Sequence, residues 1–519
     1  MFNTALEHAF GSASKLVSSS TGKAFGRYMP LIIESPDDIA KQVKDGFAGD
    51  YPRILDFLKN KQAYHAEFDE LMASTANYSI PRKSWRYAVL MKRSVNVLSK
   101  YLYKNPPRRN ILGDPASTEF LDRLYRSQNV DSLIQTADKM TYVTDFSAIE
   151  VYPDFGSEKP LNLRVWDGSE VVPMFRPGDV KNPVAVATLS AYGSSQYIVR
   201  VYTPETIQTY RAEEKSAELV ESGINYFGII PFAFFHYEMP TNSFYSTGIG
   251  KSLRDMNIHL VRRITDIADQ IASLRPRGYV KNVPPQWVLP PSMRPDEFTT
   301  MPNAFNAQGE GPEAEIGWLN PDISFTSLDW QDISNWVDMG LEMLGIPPSA
   351  IRMEQQGGTS GVAIQSEQLP LLEEAENRRT PFQKYESDLV KVVLTCAARQ
   401  SMVTGVDFGV PAEQLMATAA NLEMSFRWPP MTSNRPGPDR DAHDAFLLQN
   451  QLKSRTQVLM DNENLTEEEA VDLVNRTLVQ LSQEEYQISR ATLQIQEDQL
   501  ALQAQYSQPQ QQDSSNGKN

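Results

Sequence analysis

The chain has 519 residues and a single cysteine, Cys396, so no disulfide frame can form within it and a reducing compartment fits. Its 65 acidic and 49 basic residues leave a net charge of −16, the opposite sign to what tight binding of nucleic-acid phosphates needs. No apolar run reaches the roughly 18 residues of a membrane span, and the start lacks a basic-then-apolar leader.

Hydrophobic residues at 41% and charged residues at 22% are ordinary for a chain that builds cores, and the length suits about three domains. Residues 1–30 are rich in Ser, Gly and Ala without a period. Ser35-Pro36 reads as a helix cap with proline in the first turn, leading to Ile54, Leu55 and Leu58 and a polar helix through Leu71. A second helix is expected from Lys83 to about Lys104, ended by Asn105-Pro106-Pro107, and a helical region from Ser117 to Met140. From Thr141 to Tyr237 the period becomes that of strands, over Ala148–Tyr152, Leu161–Trp166, Val184–Leu189, Tyr197–Tyr202, Ile207–Tyr210 and Ile229–Phe235, which predicts an antiparallel sheet.

The clearest helix follows. Ile249, Leu253, Met256, Leu260, Ile264, Ile267, Ile271 and Leu274 fall on one face at spacings of three and four. Residues 276–327 are Pro- and Gly-rich, with strand candidates at Gly278–Val283, Gln286–Leu289 and Ile323–Ser327. Trp330, Ile333, Val337, Leu341 and Leu344 then make another helical stripe, stopped by Gly345 and Pro347-Pro348. The loop Met353-Glu354-Gln355-Gln356-Gly357-Gly358-Thr359-Ser360-Gly361 comes next. A long helix from about Val362 contains Pro370 and Pro381, which predict kinks. It ends on Phe382, Tyr385, Leu389, Val392 and Cys396, with Cys396 read as core. A helix over Glu413–Leu422 and a strand at Ser425–Trp428 precede the Pro/Gly/Asp run Asn434–Asp441. The last block reads as a helix from His443 to Met460, a second helix begun by the capping box Thr466/Glu469, and a Gln-rich helix with a thin apolar face.

Catalytic motifs fail on spacing. Gly248-Ile249-Gly250-Lys251-Ser252 resembles the end of a phosphate loop, but Tyr245 stands where the Walker pattern needs glycine and no apolar strand precedes it. Gly357–Gly361 can be a phosphate cradle at a helix start or a capped loop. The five histidines are isolated from any Cys or carboxylate at metal-ligand spacing. No catalytic residue, cofactor or metal is expected. Arg378-Arg379 on the long helix can line a subunit contact, meet DNA or form surface ion pairs.

The order Leu344-Gly345-Ile346-Pro347-Pro348-Ser349, glycine-rich loop, long kinked helix resembles the core of tailed-bacteriophage portal proteins. The resemblance implies a mixed α+β, mostly helical portal-type fold. Residues 1–30 would be a flexible arm; 31–245 a wing of helices and antiparallel sheet; 246–275 a first stem helix; 276–327 a clip. Residues 328–345 would be the second stem helix, 346–361 the channel loop, 362–430 the long wing helix with its connection, 431–507 a helical crown and 508–519 a disordered tail.

It further implies a homo-oligomeric ring, a dodecamer, at one capsid vertex of the virion, assembled in the host cytoplasm, without enzymatic activity or membrane attachment. Double-stranded DNA would pass through without sequence-specific binding, with the terminase large subunit, neck and tail proteins, and capsid and scaffold proteins as partners. Arg352, Met353, Glu354, Gln355, Gln356, Gly357, Gly358, Thr359, Ser360 and Gly361 would project into the channel. The acidic excess suits a hole through which DNA slides, and equally suits an ordinary soluble protein. Two other readings stand beside this one: an enzyme of unrecognised class using its Gly-rich loops for phosphate, and another multimeric virion subunit.

Overall fold

The computed structural model describes residues 28–74, 86–153, 161–273, 277–282, 315–319, 324–352, 361–428, 453–463 and 469–480, with short gaps inside the first three segments, and isolated residues elsewhere. The chain divides into two units, Met1–Phe426 and Arg427–Asn519.

The first unit opens with strand β1 (Leu31–Ile32) and helices α1 (Pro36–Lys44), α2 (Tyr51–His65) and α3 (Phe68–Ser74). The expected cap is there: Asp38 Oδ2 accepts the Ser35 backbone N–H at 2.9 Å, and proline occupies the first turn. Helix α4 (Leu90–Leu98) is shorter than the Lys83–Lys104 expectation, of which 83–85, 87 and 104 lie outside the described residues. Tertiary partners take the amides a longer helix would use. The Arg86 N–H donates to Thr265 Oγ1 at 3.0 Å, and the Met91 N–H to Asn257 Oδ1 at 3.2 Å.

After β2 (Arg108–Ile111), the helical region expected over Ser117–Met140 is two helices, α5 (Pro115–Gln128) and α6 (Val130–Thr144). Asn129 divides them at φ 52°, the left-handed region that asparagine tolerates.

The strand region is larger than expected: β3 (Phe146–Pro153), β4 (Leu161–Asp167), β5 (Val171–Arg176), β6 (Asp179–Tyr192), β7 (Gln196–Tyr202), β8 (Thr206–Glu213), β9 (Ser216–Ile224) and β10 (Phe232–His236). Six strands form one sheet in the order β1-β5-β6-β7-β8-β9, and three form another, β10-β3-β4. Every pairing among β3 to β10 is antiparallel, as expected; the parallel pairing is that of β1, which joins β5 through Leu31↔Met174. Strand β5 escaped the sequence reading because Pro173 interrupts it, and β9 because it has no buried face.

Alternation along the strands divides the packing. Val172, Met174, Ala187 and Val199 meet Ile39, Val43 and Ile54 of α1 and α2 on one face. Val171, Phe175, Val186 and Tyr202 meet Phe57, Phe146, Trp166 and Phe232 on the other.

Helix α7 (Gly250–Ser273) follows, then a hairpin of β11 (Arg277–Lys281) and β12 (Glu315–Leu319), with Tyr279 opposite Gly317. Gln286–Leu289 lies outside the described residues. The strand expected over Ile323–Ser327 is corrected, since Ser324 already opens helix α8 (Ser324–Met343). Helix propagation gains a hydrogen bond per residue fixed and overrides the β-prone Phe325 and Thr326.

Helix α9 (Pro348–Arg352) precedes the loop, and α10 (Gly361–Thr404) is one continuous helix with Pro370 and Pro381 inside. Helix α11 (Ala412–Ala420) leads to β13 (Met424–Arg427), which pairs with β2. In the second unit, helix α12 (Arg455–Glu463) and a helix over 469–480 are described. The single helix expected over His443–Met460 is corrected, since the chain is non-helical at Lys453 and Ser454 and the Ser454 hydroxyl accepts the Gln457 N–H at 3.1 Å to cap α12. Val471, Leu473, Leu478 and Val479 are exposed on the latter.

Candidate functional site

The site is built where α7 and α8 root in the first unit and where the loop between α9 and α10 begins and ends. Gly248 and Gly250 hold that root together. A Cβ on Gly250 would lie 2.4 Å from Val143 O, and one on Gly248 would lie 2.1 Å from Asp145 Oδ1. The Gly-Ile-Gly-Lys-Ser stretch therefore serves close backbone approach to the end of α6.

Asp145 is itself left-handed at φ 60°, and its carboxylate accepts the Gly248 N–H. Burial pushes it up to about 7, against the pull of that bond and of Arg53. The folded value lies above the unfolded value of about 3.9, so the folded state holds the extra proton. This carboxyl's contribution to stability is therefore present at low pH and is lost as pH rises from about 4 through about 7. Asp145→Asn keeps an acceptor for Gly248 and tolerates the same backbone region. It is expected to flatten that slope and to stabilise the chain at pH 8 by about 2–4 kcal/mol. Urea midpoints measured from pH 5 to 8 check this, and equal slopes for both proteins would refute it.

The two helices pack closely at their roots. Leu253, Met256 and Val261 of α7 share a core with Leu341 of α8, Ile346 and Ile351, together with Met91, Val95 and Tyr142. At Gly340 a Cβ would stand 2.7 Å from Met256 Sδ, so the Met256 side chain packs directly on the α8 backbone there. Away from the root the apolar stripes open to solvent. Ile271 is 48% exposed, Leu328 63% and Trp330 46%. Between the helices lies a cleft of about 230 Å³ lined by His259, Arg263, Asp266, Asp329, Asp332 and Trp336. The His259 and Trp336 rings stand 4.5 Å apart, and partial burial with Arg263 and Arg262 holds His259 below its usual value.

Of the expected channel residues, Arg352 closes α9 and Gly361 opens α10, while Met353 to Ser360 lie outside the described residues. The chain on both sides is anchored. Ile346 and Ile351 are buried before the loop, and Leu371 and Ala375 after it.

The expectation for Arg378 is corrected. It is buried, and it ties α10 to the rest of the unit instead of facing solvent. Nη2 donates to Asp138 Oδ1 at 2.7 Å and to Thr141 Oγ1 at 2.9 Å, and Nη1 to Tyr237 O at 3.1 Å. Tyr142, Tyr237 and Phe382 surround the guanidinium at 4.4, 5.2 and 5.1 Å from their ring centroids. Burial pushes Asp138 up to about 6 while Arg378 pulls it back.

Two turns along α10, Glu386 accepts from the Tyr103 hydroxyl at 3.1 Å, the Tyr125 hydroxyl at 3.0 Å and Arg109, which also meets Asp131 at 2.6 Å. Burial raises Glu386, and its arginine and tyrosine donors oppose that rise. A third buried ion pair, Arg53 with Asp50 at 2.5 Å, is enclosed by Tyr245, Phe57 and Phe146. Sequence reading missed these carboxylates, because their partners are more than 100 residues away except within the Arg53–Asp50 and Arg109–Asp131 pairs. Cys396 is buried and its thiol is pushed up by burial, which fits its reading as core.

Among the described residues, no group of His, Cys, Asp or Glu is arranged to hold a metal, and no helix is long and apolar enough to cross a membrane.

Residues 53–275 match the family model described as phage portal protein, SPP1 Gp6-like, and no curated protein matches the chain. The matched stretch runs from α2 through the two sheets to the end of α7. Helix α8, the glycine-rich loop and α10, whose order carries the sequence resemblance, lie beyond it.

Proposed function

We infer from the match of residues 53–275 to the SPP1 Gp6-like phage portal proteins that this chain is the portal subunit of a phage virion and works by geometry instead of catalysis. That family is structural and not enzymatic. In this reading a ring of copies, a dodecamer, sits at one capsid vertex after assembly in the host cytoplasm. Double-stranded DNA is driven in through the hole by the terminase large subunit and later leaves through it. Neck and tail proteins, coat and scaffold dock on the outside.

Helices α7 and α8 are the stem, the β11–β12 hairpin belongs to the clip, and Arg352 to Gly361 is the channel loop. Residues 31–245 and the long helix α10 form the wing, and residues 431–507 the crown.

Beyond the family match, one observation supports the reading. The outer parts of α7 and α8 expose Ile271, Leu328 and Trp330. Leaving a large apolar side chain in water forgoes about 1.5–3 kcal/mol each, so neighbours around an axis are the economical cover. The test is native mass spectrometry and electron microscopy at micromolar concentration. A ring with a central hole is expected, and a monodisperse monomer would end the reading. Leu328→Glu with Trp330→Glu is expected to shift rings toward monomers at least tenfold in apparent dissociation constant, as about 1.4 kcal/mol of lost burial suffices for. Unchanged assembly by that variant would remove the stem contact.

A further inference from the structure

Strand β9 is the outer edge of the six-stranded sheet. Strand β8 pairs with it on one side, from Thr206↔Ile224 to Glu213↔Ser216. Among the described residues no strand lies on the other side. Leu219 is 49% exposed, Val220 53% and Ile224 69%, and Tyr226 just beyond the strand is also exposed. Sheet edges are usually shielded by lysine, proline or strong bulges. This strand has no lysine or proline, and its one irregularity is at Val220, skipped between Thr209↔Glu221 and Tyr210↔Leu219.

The edge is held in strand form. The Asn225 side-chain amide donates to Thr203 O and to Ile229 O, both at 2.7 Å, and pins its end. Self-pairing is disfavoured, because a second β9 would set exposed Glu218 and Glu221 against their own copies.

We propose that β9 accepts an extended strand supplied by residues 1–27 of a second copy of this chain. Charge points to that segment. Lys15, Lys23 and Arg27 stand there against Glu7 alone, a basic excess inside a chain of net charge −16. Geometry points to a second copy as the donor. The segment joins the described fold at Tyr28, whose hydroxyl donates to Asp56 Oδ2 at 2.6 Å, just before β1. Strand β1 is the opposite edge of the same sheet, about 24 Å away at ~4.8 Å per strand spacing.

A copy's own segment would have to cross a sheet face to reach β9. One face is covered by Ile39, Val43 and Ile54, and the other by Phe57, Phe146 and Trp166. A segment of this length extends up to roughly 90 Å, long enough to reach β9 of an adjoining copy. Main-chain hydrogen bonds along the edge would supply affinity, and the lysines opposite Glu218 and Glu221 the register.

The proposal rests on the assembly of copies described above, so native mass comes first and separates the two. A chain that is only monomeric ends both ideas, whereas a ring with an open β9 edge ends this one alone. Hydrogen exchange of the segment 216–226 is then compared in full-length rings, in a variant lacking residues 2–27, and in Glu218→Lys with Glu221→Lys. Exchange about tenfold faster in both variants is expected, and equal rates in all three overturn the proposal. Co-assembly of Val220→Cys chains with Leu6→Cys, Leu16→Cys or Val17→Cys chains identifies the donor, with buried Cys396 out of reach. Disulfide-linked dimers in at least one pairing support it. Intact rings without dimers, or cross-links formed only within one chain when both cysteines share it, overturn it.

Discussion

Replacing Arg378 with alanine should lower the unfolding free energy by about 3–5 kcal/mol, the usual result of removing one partner from a buried ion pair. The guanidinium is buried with Asp138 at 2.7 Å, and no water replaces it among Tyr142, Tyr237 and Phe382 without a cavity. Its loss leaves Asp138 a buried carboxyl without its cation, so the aspartate takes up a proton at neutral pH or unfolds the site. Arg378→Lys should recover little. The guanidinium reaches Asp138 and Thr141 through Nη2 and Tyr237 O through Nη1, and a single ammonium cannot span those directions. Arg378→Met with Asp138→Asn removes both charges, and should stand nearer the parent than Arg378→Ala does. Denaturant midpoints at fixed protein concentration and unchanged slope decide it. An Arg378→Ala variant within about 1 kcal/mol of the parent would mean that α10 is held by its apolar face alone.

Deleting Gln355 to Ser360 should leave assembly and stability intact, yet cut the DNA retained per particle by about tenfold or more, the factor about 1.4 kcal/mol on a barrier produces. The reasoning separates the loop from its supports. Ile346 and Ile351 are buried before it and Leu371 and Ala375 after it, so the deletion removes no buried side chain of those anchors. Shortening the span costs little loop-closure entropy, because that term varies only slowly with length. What is lost is a glycine-rich segment proposed to meet DNA in the channel. Normal packaging by the deleted chain would count against the channel assignment, and failure to assemble would show that the loop is part of the ring contact.

The two anchors of α10 have different legibility. Its apolar face, Phe382, Tyr385 and Leu389, is readable as spacing and is buried as expected. The Arg378–Asp138 and Glu386–Arg109 pairs are not readable. Each joins residues hundreds apart, and a charged residue on a helix is ordinarily solvated. The glycines at 248 and 250 are legible only by exclusion. Tyr245 rules out the phosphate loop they resemble, and their use is close approach to Asp145 and Val143.

Periodicity by itself determined the rods of this protein and the alternating strands β3, β4, β7 and β8, because those patterns depend only on neighbours three, four or two positions away. It also determined the stop at Gly345, which lies at φ 71° where glycine is at ease. Only the folded chain decided the parallel pairing of β1, the strand at β5 across Pro173, the bare edge of β9 and the burial of Arg378. Those features are set by which distant segments come together, and contacts of long sequence separation leave no local pattern from which to read them.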